Sequence, residues 1–277
     1  METSKFAILL TACVDPQGMS FTQITDVNIR SKQYIDTITF FLKETNLPIV
    51  VCENTNWSIP IQFNQYIKKN RLEYITFNGN NFNKERGKGY GEALIILHAI
   101  KHSTILPNCK YLIKITGRVI IPNILQLTSS PLYLFNNLIR CNLAEGNNAE
   151  SVIFIAPPLL LEDILKKHLE EITEYPRGFW FEKIFYKAIV NDNTAHLIPF
   201  TVAPIINGIS ATHNKKYYTK TSIDNMTDNL YYWLNYIQIQ KQNSSPSKHL
   251  YYQIKLFSIN SIYRIILVIK RILKTVR

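Results

Sequence analysis

The fold is decided near the start of the chain by the apolar run Phe6-Ala-Ile-Leu-Leu-Thr-Ala-Cys-Val14, which stops at Asp15-Pro16. A short continuous apolar run that ends at a turn signal is typical of a strand buried on both faces of a sheet. Apolar residues then recur at helical spacing over residues 29–42, and residues 47–52 form a second buried run. Strand, helix and strand in this order predict a parallel sheet.

The same alternation continues through the rest of the chain. Further strands are predicted over residues 72–77, 111–115, 138–142, 152–156 and 197–202. Further helices are predicted over residues 61–68, 91–100, 157–172, 179–190 and 223–240. We therefore predict an α/β fold with a mostly parallel, Rossmann-like sheet and helices on both faces, followed by a helical tail. Ligands of such sheets bind outside the carboxyl ends of the strands, so the polar residues there are the first candidates for chemistry.

The positive charge of the chain is concentrated in its last 37 residues. The chain has 277 residues, a net charge of +11, 46% hydrophobic residues and only 18% charged ones, which excludes a disordered protein. Residues 241–277 contain eight basic side chains and no acidic ones, so 11 − 8 leaves only +3 for the first 240 residues. The main body is therefore nearly balanced, which argues against a nucleic-acid-binding surface there.

Cysteine use and the chain ends suggest a compartment. The four cysteines are widely spaced and form no C-x-x-C pair, so no zinc or redox motif is indicated and a reducing cytosol is expected. The first residues lack the basic start and long apolar stretch of a signal peptide. No window reaches the ~18 continuous apolar residues of a spanning helix.

Polar residues collect at the predicted strand ends. Thr11 and Asp15 follow the first strand, and Glu53 follows the second. The fourth strand ends in Lys114-Ile-Thr-Gly-Arg118. A cation inside an apolar strand is costly unless it meets an anion or lines a cleft, although a strand-edge lysine followed by a solvated arginine is the simpler alternative.

A fourth polar cluster, Gly87-Lys-Gly-Tyr-Gly-Glu92, combines three glycines with a predicted helix start. Glycines let the backbone approach a ligand, a helix N-terminus offers free N–H groups, and Lys88 adds charge. The pattern is neither a Walker A loop nor a Rossmann fingerprint, and a glycine-rich helix entry with a surface lysine is the plainer interpretation. Together with Lys114 and Arg118, it favours a diphosphate site.

These motifs resemble bacterial GT-A-type glycosyltransferases that build lipopolysaccharide O-antigen, capsule or related glycans. The resemblance covers residues 5–218, and its specific part is the pair Lys-Gly-Tyr-Gly-Glu and Lys-Ile-Thr-Gly-Arg. The more generic stretches are Ile8-Leu-Leu-Thr11, Val50-Val-Cys-Glu-Asn54 and Gly208-Ile-Ser-Ala-Thr-His213 before Tyr217.

The resemblance implies a domain plan and a set of ligands. A glycosyltransferase domain would span residues 1–220, with a nucleotide-sugar half over about 1–120 and an acceptor half over about 121–220. A helical extension (221–242) and a linker with a basic helix (243–277) would follow. The donor would be a nucleotide-sugar, with UDP expected, and the acceptor a glycan or lipid-linked oligosaccharide. The implied donor-binding residues are Thr11, Glu53, Lys88, Gly89, Tyr90, Gly91, Lys114, Gly117, Arg118 and Ser210.

One departure from the family pattern concerns the metal. GT-A enzymes usually hold a divalent cation with Asp-x-Asp after the fourth strand, whereas this chain has no Asp-x-Asp and carries Lys-Ile-Thr-Gly-Arg there. Cationic side chains can stabilise a leaving diphosphate in place of a metal. We therefore predict no cofactor, with Arg118 and Lys114 in this role. His213 is a possible metal ligand, which leaves Mn²⁺ or Mg²⁺ open.

An inverting transfer needs a general base, whereas a retaining one need not, and the sequence leaves the stereochemistry open. Our candidates for the base are Glu182, Glu92 and Asp15. Glu182 and Glu92 have simpler interpretations too, as the polar face of a helix and as a first-turn glutamate.

The tail predicts a membrane contact. After a candidate linker at Asn243-Ser-Ser-Pro-Ser247, one apolar stripe runs along a helix, with basic residues largely off it. The stripe is Ile262, Ile265, Ile266, Ile269, Ile272, Leu273 and Val276. A helix of this kind suits an anionic membrane surface, and docking on the protein's own core is the alternative. We expect a cytoplasmic protein that is peripheral on the inner membrane and binds no nucleic acid.

Three other functions remain open at this stage. A basic nucleic-acid-binding protein would use the tail charge. A nucleotidyltransferase would share the architecture but normally needs acidic metal ligands. An interaction module without activity is the third alternative.

Overall fold

Strands and helices alternate through the first half of the chain, as the apolar pattern predicts. The computed structural model describes residues 5–19, 22–210, 215–217 and 221–275. The strands found there are β1 (Phe6–Ala12), β2 (Ile49–Glu53), β3 (Leu72–Thr76), β4 (Tyr111–Thr116), β5 (Val119–Ile120), β6 (Leu138–Arg140), β7 (Leu143–Ala144), β8 (Asn148–Ala149), β9 (Ile153–Ala156), β10 (His196–Ile198), β11 (Asn207–Ser210) and β12 (Lys215–Lys216). The helices are α1 (Val27–Glu44), α2 (Asn64–Lys68), α3 (Gly87–His102), α4 (Ile124–Thr128), α5 (Pro158–His168), α6 (Phe181–Asn191), α7 (Ser222–Gln242) and α8 (Pro246–Thr275).

The main sheet has seven strands in the order β10-β6-β9-β4-β1-β2-β3. All its strands run parallel except β9, which pairs antiparallel with both β4 and β6. The order β3-β2-β1-β4 is that of a nucleotide-binding Rossmann half, and its direction of winding changes between β1 and β4. The predicted α/β class with a mostly parallel sheet is therefore confirmed.

Helices cover both faces of this sheet. One buried cluster joins residues of α3, α5 and α6 to the sheet side that carries Leu9, Val50 and Leu112. The other joins α1 and α4 to the side that carries Ile8 and Ile113. Because every residue of β1 is buried, the continuous apolar run that opens the chain is explained by cover on both faces.

The second half is less regular than the sequence predicts. Residues 197–202 were expected to form a strand, but only His196–Ile198 pairs, parallel to β6. Two small sheets, β12-β11-β5 and β7-β8, escape prediction because their strands are two to four residues long. Such short strands carry too little apolar alternation to be recognised in a sequence.

The C-terminal helices form an antiparallel hairpin. The predicted linker at 243–247 is shorter than expected, because α8 begins at Pro246. Helix α7 is anchored to the body by Trp233 Nε1, which donates to the Phe200 carbonyl at 3.1 Å, and by Asn235 Nδ2, which donates to the Leu143 carbonyl at 3.0 Å. Helix α8 packs against α7. The start of α7 is joined to the far end of α8 by the Asp224–Lys270 ion pair at 2.6 Å.

The alternative interpretation of the tail, docking on the protein itself, is found for one face of α8, whereas the membrane contact stays a prediction. One face of α8 docks on α7, while most of the predicted stripe faces outward: Ile262, Ile265, Ile269, Ile272 and Leu273 are exposed and Ile266 is half-buried. Within the described residues, no helix combines the length and hydropathy needed to cross a bilayer.

Candidate functional site

A cavity of about 220 Å³ opens at the carboxyl ends of β1 and β4. This is the point where the winding of the sheet changes direction, the usual ligand position in open α/β sheets. Of the residues that the sequence singles out, the cavity is lined by Thr11, Lys88, Gly89, Gly91, Glu92, Arg118, Glu182 and Ser210. Asn54, next to Glu53, lines it too, so the structure brings together residues from all four predicted polar clusters and from the acceptor half. Tyr34, Ser151 and Glu174, which the sequence does not single out, line it as well.

An ion pair between Lys114 and Glu92 lies beneath the cavity, which Glu92 lines and Lys114 does not. Lys114 is fully buried, and its Nζ lies 2.5 Å from Glu92 Oε1, 3.2 Å from Thr116 Oγ1 and 2.5 Å from the Ser151 carbonyl oxygen. Glu92 Oε1 also accepts from Thr11 Oγ1 at 3.1 Å. Three partners match the three N–H donors of an ammonium group. The cation in strand β4 is therefore compensated by Glu92, and a direct contact between Lys114 and a ligand would require one of these bonds to break.

The same network reaches Glu182 on α6. Ser151 precedes β9, which starts beside the end of β4 because it runs antiparallel to it. The Ser151 hydroxyl donates to Glu182 Oε1 at 2.6 Å. Glu182 is the second residue of α6, and its carboxylate points into the cavity. A lining carboxylate held by one neutral hydrogen bond can still accept a proton.

Arg118 comes directly after Gly117, where the backbone at the end of β4 lies close to the backbone at the end of β1. Gly117 N–H donates to the Thr11 carbonyl at 2.9 Å, and a Cβ at position 117 would lie 2.7 Å from that oxygen. Arg118 Nη1 lies 3.2 Å from Gln33 Oε1 on α1 and 3.5 Å from the Ile209 carbonyl on β11. Its Nε is buried and has no hydrogen-bond partner among the described residues. A buried guanidinium donor of this kind is suited to an anionic ligand.

The glycine cluster has a different occupant from the one expected. Gly89 N–H donates to Glu174 Oε1 at 3.1 Å, and a Cβ on Gly87 would lie 2.1 Å from Glu174 Cδ. The space opened by these glycines therefore holds a carboxylate of the chain itself. Burial raises the pKa of Glu174, and the negative charge of Glu182 raises it further.

Glu53, Asp15 and Tyr90 do not line the cavity. Glu53 is fully buried, and its carboxylate accepts from backbone N–H groups of the loops that follow β1 and β2, including Val14 at 3.0 Å. Asp15 Oδ1 accepts from the Gln17 N–H at 3.1 Å. The ring of Tyr90 lies under the Arg86 guanidinium, at 4.0 Å. Donor or base roles for these three residues stay predictions, and Glu53 has a clear structural task in holding the cavity loops.

No group of three or more His, Cys, Asp or Glu side chains that could hold an ion occurs among the described residues. Glu92 is already paired with Lys114, and His213 lies outside the described residues. Metal independence stays a prediction.

Comparison with known proteins gives structural neighbours only. No protein-family model and no curated protein matches the chain in sequence. The chain is structurally similar to a cytidylyltransferase from Leptospira borgpetersenii (TM-score 0.40, 16% identity, 87% of this chain and 95% of that one). It is also similar to a nucleotide-diphospho-sugar transferase from Desulfovibrio desulfuricans (0.41, 8%, 94% and 98%) and to the mannosyltransferase Ktr4p from S. cerevisiae (0.36, 11%, 79% and 76%). Such identities and TM-scores are too low to carry an activity from one protein to another.

Proposed function

We propose that this chain is a glycosyltransferase that moves a sugar from a nucleotide-sugar, UDP being the expected nucleotide, to a glycan or lipid-linked oligosaccharide in surface-polysaccharide assembly. The observation that carries the proposal is the cavity at the β1–β4 switch point. It is lined by Arg118, whose buried Nε has no partner among the described residues, and by the carboxyl groups of Glu92, Glu174 and Glu182. A guanidinium suits a diphosphate, and carboxylates suit sugar hydroxyls or a proton in transit. The family resemblance of the sequence motifs supports the same activity.

The chemistry proposed for an inverting transfer uses the cavity groups as follows. The acceptor hydroxyl oxygen bonds to the anomeric carbon, while the bond from that carbon to the diphosphate breaks and its electron pair leaves with the diphosphate. Arg118 offsets the charge that develops on the leaving group. Glu182 takes the hydroxyl proton. Glu92 is less suited to this step, because its carboxylate is already paired with Lys114 at 2.5 Å.

A nucleotide-sugar screen tests the activity. Wild-type protein is incubated with UDP-, GDP-, dTDP- and CMP-sugars, and melting temperature and release of free nucleotide are measured with and without EDTA. A donor raises the melting temperature by mass action, and its turnover in excess EDTA supports the metal-independent form. Activity that is lost in EDTA and restored by Mn²⁺ contradicts the role given to Arg118. Pyrophosphate release from a nucleoside triphosphate and a sugar phosphate indicates a nucleotidyltransferase instead.

We also propose that α8 lies on an anionic membrane surface. Its outward face is apolar over six turns, with side chains 43–76% exposed, and it extends the predicted stripe toward the start of the helix. This face consists of Leu250, Tyr251, Ile254, Phe257, Ile262, Ile265, Val268, Ile269, Ile272 and Leu273. A continuous exposed apolar face of this size marks an interaction surface.

Charge identifies the proposed occupant of this face. Basic side chains border the apolar face on both sides, with Lys248 and Lys255 along one edge and Arg264 and Arg271 along the other. Residues 246–277 contain no acidic side chain, so a second copy of the helix would be repelled whereas anionic lipid would be attracted. Each basic residue near such a surface contributes about 1 kcal/mol. Because α7 anchors α8 to the body, a membrane bound by α8 would keep the cavity at a fixed distance from the bilayer, where a lipid-linked acceptor lies.

Full-length variants test the membrane contact with matched charge changes. Ile265→Glu places a charge in the apolar face, whereas Asn260→Glu places the same charge on an exposed position outside it. We expect wild type and Asn260→Glu to sediment with phosphatidylglycerol vesicles, more weakly at high salt, and Ile265→Glu to stay in solution. Equal binding by the two variants, or a dimer without vesicles that Ile265→Glu disrupts, contradicts the proposal.

A further inference from the structure

The N-terminus of α3 is a natural anion position, and this chain supplies the anion itself. Free N–H groups and the helix dipole favour negative charge at such an end. Gly89 N–H donates to Glu174 Oε1 at 3.1 Å. A Cβ on Gly87 would lie 2.1 Å from Glu174 Cδ and 2.3 Å from its Oε2, so any other residue at position 87 would push this carboxylate out of its place. The glycines and Glu174 are thus parts of one arrangement, although 85 residues separate Glu174 from Gly89.

The loop that carries Glu174 is held firmly against the start of α3. Tyr175 N–H donates to the Glu85 carbonyl at 3.0 Å. Arg86 Nε donates to the Ile172 carbonyl at 2.8 Å, and its Nη2 donates to the Leu169 carbonyl at 2.9 Å. Glu174 is therefore a fixed part of the cavity wall, and a diphosphate cannot reach the end of α3 without displacing it.

Arg118 offers a second anion position on the other face of the sheet. Its Nη1 contacts Gln33 on α1, and α1 and α3 cover opposite faces. The buried Nε of Arg118 has no partner within the part of the chain that the structure describes. The cavity therefore has Arg118 on one side and the carboxyl groups of Glu174 and Glu182 on the other, with the charge of Lys88 acting on Glu174.

We propose that Glu174 is a specificity-determining residue that closes the α3 end of the cavity to phosphate and receives sugar hydroxyls there, so that the donor diphosphate lies against Arg118. This inference rests on the proposed glycosyltransferase function and adds the direction in which the donor lies. A carboxylate repels phosphate but accepts hydrogen bonds from hydroxyl groups. The expected role of Gly87, Gly89 and Gly91 as a diphosphate cradle is replaced by this arrangement.

Three variants separate the two sides of the cavity. Glu174→Gln removes the charge but keeps an oxygen that can accept the Gly89 N–H. Arg118→Gln removes the cation. Glu170→Gln is the matched control, because Glu170 lies on the same loop in an exposed ion pair with Arg86 and does not line the cavity. Calorimetric titrations use UDP, GDP, ADP and dTDP, and then the sugar-bearing form of whichever nucleotide binds wild type.

We expect Arg118→Gln to weaken both the diphosphate and the nucleotide-sugar by about tenfold or more, the size of a hydrogen bond to a charged group. We expect Glu174→Gln not to weaken diphosphate binding, because it removes a repelling charge, but to remove the extra affinity given by the sugar, again about tenfold. Glu170→Gln should match wild type. If Glu174→Gln does not fold, Glu174→Asp, which shortens the side chain and keeps its charge, should show the same selective loss.

Two results overturn the inference. Extra affinity for the sugar-bearing nucleotide that survives in Glu174→Gln means that Glu174 does not receive the sugar. Diphosphate binding that is unchanged in Arg118→Gln removes the Arg118 side from the account. Failure of wild type to bind any of the diphosphates or nucleotide-sugars instead overturns the proposed function, and the inference with it.

Discussion

Removal of the Lys114 ammonium is the sharpest test of the ion pair beneath the cavity. Lys114→Met keeps the length and apolar stem of the side chain but deletes a fully buried cation. Its contacts with Glu92, Thr116 and the Ser151 carbonyl are lost with it. Breaking a buried ion pair typically costs about 3–5 kcal/mol. The Glu92 side chain is 20% exposed to the cavity and can be partly hydrated, so we expect the lower end, about 3 kcal/mol. At roughly 2–4 °C per kcal/mol, the melting temperature should fall by about 6–12 °C.

The assay is urea unfolding followed by the fluorescence of the three tryptophans, as a double-mutant cycle with Glu92→Gln. The charge-neutral double variant should recover part of the loss, with a coupling energy of about 1–3 kcal/mol. Its diphosphate affinity should stay within about threefold of wild type, since the net charge of the pair is zero before and after. Lys32→Met, which breaks the exposed Lys32–Asp36 pair, is the control and should cost less than about 0.5 kcal/mol. Stability of Lys114→Met within about 0.5 kcal/mol of wild type, or strictly additive effects, would refute this reasoning.

Three further predictions concern single positions. Gly117→Ala brings a Cβ to 2.7 Å from the Thr11 carbonyl and should lower the free energy of unfolding by about 1–3 kcal/mol; an unchanged urea midpoint contradicts the close approach of β1 and β4. Burial raises the pKa of Glu174 above its ordinary 4.5, so wild type loses stability as pH rises from the ordinary pKa through the raised one. Calorimetry should therefore show Glu174→Gln gaining stability relative to wild type near pH 7 but not near pH 4. The opposite pH trend contradicts the buried carboxyl. Lys270 lowers the pKa of Asp224, so the contribution of this pair is present above the ordinary pKa of 3.8 and is lost in acid; Asp224→Asn should speed hydrogen exchange in α8 near pH 7, and unchanged exchange contradicts the clamp.

The sequence predicts the first half of the fold well because burial on both faces leaves continuous apolar runs. β1, β2 and β4 differ from the predicted segments by at most two residues at either end. Helix α3 starts at Gly87, four residues before the predicted start. The prediction placed the start too late because three glycines lower the helix propensity of the first turn. The carboxylate of Glu174 stabilises that turn, and this contact is tertiary.

Two parts of the site escape prediction for the same reason. Nothing near Glu174 in the sequence marks it, because its partners lie at the start of α3. Lys114 is predicted to meet an anion, and it does, but the anion is Glu92 of the chain itself. Local patterns show that a buried cation needs a partner, whereas topology decides which partner it meets. In α8 likewise, apolar residues occur on several faces, so the sequence alone does not tell which face packs on α7.

The most direct test of the account is a crystal structure with the nucleoside diphosphate that most raises the melting temperature. The account predicts the diphosphate at the carboxyl ends of β1 and β4, within hydrogen-bond distance of Arg118, while Glu174 keeps its bond to Gly89. A diphosphate at the N-terminus of α3 with Glu174 displaced, or a nucleotide bound outside this cavity, would contradict it.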